Sequence, residues 1–470
     1  MQEQIDKGAS ITFIRCDASL PGCEPNPDHD LTLCFLCITK RNKELKLLGM
    51  RSPFTSISLD DLLDSKHEHA KNSGWNFSSV HKLCEYKIDN YDIGMAAASS
   101  LMSFYRTPKP DLVFAKDRLV RLLDASYQTY FAMKDYLSEK RPDAVFIFNG
   151  RFSFLRSIYR ICRQYGIDCY THERGANIRK YAVYKNALPH DKNNTLRNIR
   201  KSWEQASVDQ RVAVAEQFYV DRAGGKQQSW LSYVANQKNG LLPDGWDPGK
   251  KNLAIFNSSE DEYAAAGDEW KNPLYQTQLV GIQKIVEELS TREDIHIYLR
   301  VHPNLTHVHN ESVKGLYRIR ANNFTVIPSA SKVSTYALIR ASHNIITFGS
   351  TVGIEAAFWG KPSILAGQSF YEDLDSVYLP GSHEELIRMA VSDLKPKDRT
   401  GALMYGYYQN TFGRDFKYYK ADNLFSGAYK GKSTRPPRVA RLIRRLIRGA
   451  RLQKLSLFNR LFERYLKRMT

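Results

Sequence analysis

Ile345-Ile-Thr-Phe-Gly-Ser-Thr-Val-Gly-Ile-Glu-Ala-Ala-Phe-Trp-Gly-Lys-Pro-Ser-Ile-Leu-Ala-Gly367 decides the fold. It reads as a buried strand (Ile345 to Phe348), a Gly/Ser/Thr turn and a short helix. Gly360-Lys361-Pro362 then leads into a second apolar strand, Ser363 to Ala366. A small-residue turn between strand and helix presents backbone N–H groups where the helix dipole collects positive charge. Gly349 and Gly353 let a ligand approach the backbone, and Ser350 and Thr351 add hydroxyl donors, so the turn is expected to hold a phosphate. Glu355, one helical turn after Thr351, either holds a sugar hydroxyl beside that phosphate or merely complements the dipole.

Upstream, Ile295-His-Ile-Tyr-Leu-Arg-Val301 alternates as a strand does and ends in His302-Pro303-Asn304. Proline stops the strand. Arg300 and His302 then project from one face, at the carboxyl end, where open α/β sheets bind ligands. Leu253-Ala-Ile-Phe256 is a third strand, ending in Asn257-Ser-Ser-Glu-Asp-Glu262. Ser259 and Glu260 are candidates to bind the nucleotide. Glu260, Asp261 and Glu262 alternatively cap the helix through Tyr263 to Ala266. Three strands ending in polar loops within one domain's length predict an α/β domain for a phosphate-bearing ligand. Earlier, Asp143 to Phe148, a basic helix from about Phe152 to Tyr165, Gly166, and Ile167 to Tyr170 form a βαβ unit. Its polar strand ends are Asn149-Gly150-Arg151 and His172-Glu173-Arg174.

Asn257-Ser-Ser-Glu-Asp-Glu262, Arg300-Val-His-Pro-Asn304 and Phe348 through Pro362 resemble the donor half of bacterial capsule and surface polysaccharide biosynthesis proteins, which are GT-B-fold glycosyltransferases. Phe148-Asn-Gly-Arg151 and His172-Glu-Arg-Gly175 are similar to motifs of the acceptor half, and Tyr405 to Lys420 looks like the closing segment. The resemblance spans about residues 90–420 and leaves the first ninety unmatched. It implies two Rossmann-like domains facing a central cleft, with a nucleotide-sugar as co-substrate, no cofactor and no obligatory metal.

Sugar transfer needs the leaving phosphate stabilised and the acceptor hydroxyl deprotonated. Arg300, His302, Gly349, Ser350, Thr351 and Gly353 serve the first need in this reading. The resemblance and the strand-end position point to Glu173 as base, with His172 as runner-up; a structural ion pair with Arg174 is the competing role for Glu173. Asn149, Arg151 and Arg174 are candidates for the acceptor or an anionic group, which the arginine fork suits. The His-Pro and Ser/Thr arrangement resembles CMP-sugar transferases for Kdo and sialic acid, and UDP- and GDP-sugars also fit. A nucleotide-sugar 2-epimerase, a teichoic-type polyol-phosphate transferase and an inactive GT-B membrane scaffold are the alternatives.

A chain of 470 residues is too long for one core. Leu241 to Lys251, with two prolines and two glycines, is expected to link an acceptor domain (1–245) to a donor domain (246–400), followed by a closing segment (401–431). Thirteen Lys or Arg and one acidic residue fall between Lys432 and Thr470, so most of the net charge of +18 belongs to a tail rather than to a basic active site. In that tail Val439, Leu442, Ile443, Leu446, Ile447 and Ala450 form an apolar stripe against a face of arginines, followed by a second set, Leu455, Phe458, Leu461, Phe462, Tyr465 and Leu466. A basic amphipathic helix of this kind suits an anionic bilayer surface, so residues 438–470 are expected to hold the protein on the inner membrane face near a lipid-linked acceptor. Other polysaccharide-assembly proteins are conceivable partners, and nucleic acid is not expected. No window approaches eighteen uninterrupted apolar residues, and Met1 to Lys7 lacks the pattern of a signal peptide, so a cytoplasmic, peripheral location is expected. Seven cysteines fit reduced thiols. Leu31 to Ile38 reads as a buried strand, which would send Cys34 and Cys37 to opposite faces and argues against zinc.

Overall fold

The computed structural model describes residues 1–48, 54–63 and 74–469 and divides into two compact units. Residues 49–53, 64–73 and 470, which fall within the expected acceptor domain and tail, lie outside the described residues. The first unit comprises Met1–Tyr105, Lys109–Pro189 and Arg414–Thr470; the second comprises Arg106–Pro108 and His190–Gly413.

In the first unit, β1 (Ile11–Arg15) and β2 (Phe54–Ser58) pair in parallel. β3 (Ala144–Phe148), the helix Ser153–Tyr165 and β4 (Asp168–Arg174) form the expected βαβ unit, with Ala144 opposite Asp168. Gly166 ends the helix in the left-handed region, at φ 68°, where a Cβ would be strained. β4 departs from expectation. It runs on through Arg174 because β5 (Lys180–Lys185) pairs with it antiparallel, His172 facing Val183 and Glu173 facing Ala182. His172 and Glu173 therefore lie within a strand, on opposite faces, rather than beyond its end.

The second unit carries β6 (Lys251–Phe256), β7 (Ile295–Arg300), β8 (Phe324–Ile327), β9 (Asn344–Thr347) and β10 (Ser363–Leu365) in one parallel sheet ordered β10-β9-β6-β7-β8. This is the doubly wound Rossmann-like arrangement. Parallel strands covered on both sides read as continuous apolar runs, and β6 and β9 are buried almost throughout. Leu253, Ile255, Ile297, Leu299 and Ile346 pack with Ile282, Ile285 and Leu289 of the helix Gln278–Leu289. Ala254, Tyr298 and Ile345 pack with Leu338 and Ile339. The sheet order reverses between β6 and β9, and ligands bind outside the carboxyl ends at such a switch point.

The chain returns to the first unit through β11 (Arg414–Asp415) beside β5, then β12 (Tyr419–Asn423), β13 (Ser426–Tyr429) and β14 (Lys432–Ser433) as a small antiparallel sheet.

Three expectations are corrected here. The units divide at Pro189/His190 and again at Gly413/Arg414, not near Leu241 to Lys251 and residue 400. The helices Lys192–Glu204 and Val208–Ala223 explain this: Ile199, Trp203, Phe218 and Tyr219 are buried with Tyr371, Tyr405 and Tyr408 of the second unit. Leu31 to Ile38 is the start of a helix, Leu31–Leu45, capped by Asp30, whose side chain accepts from the Thr32 amide at 2.8 Å. Leu31, Phe35 and Ile38 are its buried face, a helical spacing that a short apolar run disguises. The tail, finally, is partly core. The helices Arg438–Gly449 and Ser456–Lys467 bury Ala440, Ile447, Phe462 and Leu466 against that same face. Val439, Leu442 and Leu446 remain 66%, 56% and 63% exposed. No described helix is long and apolar enough to cross a membrane.

Candidate functional site

In the second unit the strand ends on either side of the switch point are knitted together. Asn257, following β6, accepts the His302 amide on its Oδ1 at 2.9 Å. The Ser258 hydroxyl donates to the Phe348 carbonyl at 2.7 Å, and the Tyr263 hydroxyl donates to the Gly349 carbonyl. The three loops found in the sequence thus share one rim of the sheet.

His302 sits on this rim with its Nδ1 accepting the Asn304 amide at 3.1 Å. The neutral ring therefore carries its proton on Nε2, which is left as a donor. Burial first, then the charges of Arg300, Arg106 and Arg222, push His302 down to about 4. The Arg222 Nε and Nη2 bond Glu355 Oε1 at 3.0 Å and the Thr351 hydroxyl at 3.1 Å. Arg106 binds Asp261 at 3.0 Å and the Ser259 hydroxyl at 3.1 Å. Arg300 is 2% exposed and donates to the Pro328 carbonyl and, at 3.0 Å, to the Ser331 carbonyl. Burial lowers it to about 10. Among the described residues it has no carboxylate within ion-pair distance, so its positive charge is not cancelled locally.

Several expected roles change. Arg300 shapes the loop after β8 and contributes field rather than an open fork. Gly349 is left-handed at φ 80°, and a Cβ there would come within 2.8 Å of the Gln368 carbonyl. Gly353 instead admits Tyr371, whose hydroxyl a Cβ would meet at 2.4 Å, so packing rather than ligand approach requires this glycine. The Tyr371 hydroxyl bonds the Ser350 carbonyl, and Ser350 is buried. The helix Val352–Phe358 has seven residues, so the dipole behind this turn is a short one. Both oxygens of Glu355, 1% exposed, are bonded: one to Arg222 and Thr351, the other to the Tyr336 hydroxyl at 2.5 Å. That leaves no oxygen for a ribose. Glu260 caps the helix Gln278–Leu289 by accepting the Gln278 amide at 2.9 Å, and Ser259 bridges Arg106 and Asn304. Arg106, Arg222 and Tyr336 escaped sequence reading because nothing local distinguishes them from surface or core residues.

In the first unit the Asn149 amide donates to Glu173 Oε2 at 2.9 Å, and the Asn149 backbone N–H to the His172 carbonyl at 3.0 Å. The turn after β3 bends through left-handed Asn149 (φ 54°) and Gly150 (φ 84°). Arg151 is buried and bonded to the hydroxyls of Ser99 and Ser103 at 3.1 and 3.2 Å, with its guanidinium 4.1 Å from the Phe152 ring centre, so it is an internal anchor rather than an open anion receptor. Arg174 is exposed. His172 packs edge-on to Phe148. Glu24, from the unmatched first ninety residues, joins this group. Burial pushes its carboxyl up, Arg151 pulls it down and Glu173 pushes it up again. A carboxylate held by an amide beside a second carboxyl is a usable proton acceptor.

No protein-family model matches the chain, and no curated protein sequence matches it. Among solved structures it is similar to the β-Kdo 2,4-transferase of Thermosulfurimonas dismutans KpsC, at 14% identity over 63% of this chain and 84% of that one, TM-score 0.40. The β-Kdo 2,7-transferase of the same KpsC matches at 13% identity over 59% and 80%, TM-score 0.34. UDP-GlcNAc 2-epimerase from Methanocaldococcus jannaschii matches at 15% over 61% and 80%, TM-score 0.27. At such scores the likeness assigns no activity; the α/β class rests on the sheets themselves.

Proposed function

We propose that the protein is a GT-B-type glycosyltransferase that transfers a sugar from a CMP-, UDP- or GDP-linked donor to a surface polysaccharide at the inner membrane face. The carrying observation is the meeting of the loops after β6, β7 and β9 on one rim of a Rossmann-like switch point, with His302 Nε2 left as a donor there. The Arg300 charge, offset by no carboxylate among the described residues, favours a diphosphate or phosphodiester there, and His302 donates Nε2–H to an oxygen that gains charge as the sugar leaves. Gly349 and Ser350 shape the adjoining turn after β9. Glu173, oriented by Asn149, takes the acceptor proton. The exposed Val439, Leu442 and Leu446, interspersed with arginines, face an anionic bilayer and keep the enzyme near a lipid-linked acceptor.

Thermal-shift and calorimetric titration of the full chain against CMP, UDP, GDP and CDP tests the donor half of this reading. Binding of one nucleotide, weakened in His302→Ala, supports it. Binding of none overturns it.

A further inference from the structure

Residues 226–236 form neither helix nor strand, yet both ends of this loop are fastened to the rim that carries His302. The loop leaves the helix Val208–Ala223 just beyond Arg222, which bonds Thr351 and Glu355 where the chain turns after β9. It returns through Val234, which packs with Val333 and Tyr336, and through Gln237, whose Oε1 accepts the Thr335 amide at 2.7 Å. The Lys238 amide donates to the Lys332 carbonyl at 2.8 Å. The neck is closed: a Cβ on Gly225 would stand 3.0 Å from the Ala235 Cα. A compact loop with its ends together is an Ω-loop, a form that frequently carries function.

Its tip reaches His302. The Trp230 indole N–H donates to the Tyr233 hydroxyl at 3.0 Å, and the Tyr233 ring meets the His302 ring edge-on, with centroids 5.0 Å apart. Trp230 itself is 37% exposed, and Leu231 beside it 49%. A lone apolar side chain on a surface calls for no explanation. Here, though, one run of contacts leads from the imidazole through the phenol to an indole that solvent reaches, on a loop whose ends are pinned. Ligand sites are lined in this way, by aromatic rings beside a few placed polar groups.

We infer that Trp230 and Tyr233 form the wall on which the nucleobase of the donor stacks. The inference rests on the reading of His302 as a contact for the donor phosphate. A nucleotide carries its phosphate and its base on opposite sides of a ribose, so a phosphate at His302 Nε2 leaves the base within reach of the loop that borders the histidine. Every base has a π-face, so aromatic rings there accept cytosine, uracil or guanine. Stacking therefore supplies affinity, not choice among bases. The Trp230–Tyr233 hydrogen bond holds the two rings before the ligand arrives, which lowers the cost of ordering them on binding.

Calorimetry of the full chain against CMP, UDP, GDP and CDP, with ribose 5-phosphate and pyrophosphate as probes that lack a base, tests the assignment. Trp230→Ala should weaken the tightest nucleotide about tenfold or more, the usual worth of one base on an aromatic ring. It should leave the base-free probes and the melting temperature unchanged, whereas His302→Ala should weaken nucleotide and base-free probes together. Trp230→Phe should keep most of the affinity and abolish the quenching of tryptophan emission that the nucleotide causes in the wild type. Unchanged nucleotide affinity in Trp230→Ala, or an equal loss for the base-free probes, would overturn the stacking wall and leave the donor reading intact. Binding of no nucleotide by the wild type would remove the donor reading and this inference with it. If Trp230→Ala folds poorly, quenching that persists in Trp230→Phe still overturns the assignment.

Discussion

Arg222 and Glu355, 133 residues apart, meet through a 3.0 Å hydrogen bond inside the second unit. Glu355 is almost fully enclosed, and Arg222 ends the helix Val208–Ala223. The pair thus fastens that helix to the turn after β9.

Breaking this pair should cost stability before it costs binding. Removing one partner of a buried pair typically costs about 3–5 kcal/mol; Arg222 is about one-third exposed, so the lower end, about 2–3 kcal/mol after solvent screening, is expected for Glu355→Ala. Chemical denaturation measures this. A tenfold loss of nucleotide affinity in Glu355→Gln with unchanged stability would restore the ribose role.

His302 should make stability depend on acidity. Its folded value, about 4, lies below the ordinary histidine value near 6.5, so the unfolded chain binds a proton that the folded one refuses. Its contribution is fully present above about pH 6.5 and is lost progressively as pH falls toward 4. Denaturation midpoints of wild type and His302→Asn, compared at pH 7 and pH 5, should converge on acidification. Parallel curves would show that the ring is not held neutral.

The same residue should matter for the donor. A hydrogen bond to a charged group is worth about 1.5–3 kcal/mol, so His302→Ala should weaken nucleotide binding roughly 10- to 100-fold at pH 7. Equal affinity by calorimetry would make His302 a turn residue only.

Asn149 and Glu173 should act on turnover. Glu173→Gln keeps a partner for the Asn149 amide but loses the basic oxygen, so donor affinity should hold while transfer falls by about 10²-fold or more, the usual share of a general base. Asn149→Ala should show a smaller loss of the same kind. Wild-type transfer rates in Glu173→Gln would shift attention to Glu24 or His172.

The tail offers two separable outcomes. Val439→Ser/Leu442→Ser/Leu446→Ser alters only exposed side chains and should leave the melting temperature unchanged while abolishing binding to anionic vesicles. Truncation after Gly431 should instead destabilise the first unit, because Leu31, Phe35 and Ile38 lose Ile447, Phe462 and Leu466, and each buried side chain of this size contributes about 1.5–3 kcal/mol. Persistent vesicle binding by the triple variant would remove the membrane role from this face.

Strands β6, β7 and β9, their polar ends, and the helix-ending Gly166 were legible because each is written in a few adjacent residues. An apolar run, a proline after a strand or a glycine after a helix acts over one turn of chain. The α/β class followed from that alternation, as did the position of His302 on the rim, whereas the Rossmann-like arrangement was implied by the family resemblance. Leu31 to Ile38 was misread for the same reason: eight apolar-rich residues suit a strand or a helix equally, and Asp30 capping together with burial against Phe462 and Leu466 selects the helix.

Partnership was beyond the sequence. Glu355 looked free for a ribose until Arg222 and Tyr336 were brought to it, and Arg106 gave no sign of belonging with Ser259 and Asp261. Local propensity acts between neighbours along the chain, whereas a hydrogen bond or a convergence of charge depends on where distant segments arrive. The sequence by itself therefore determined the elements and the chemistry at their ends. Only the tertiary structure decided which charges are cancelled by a distant partner and which are left without one.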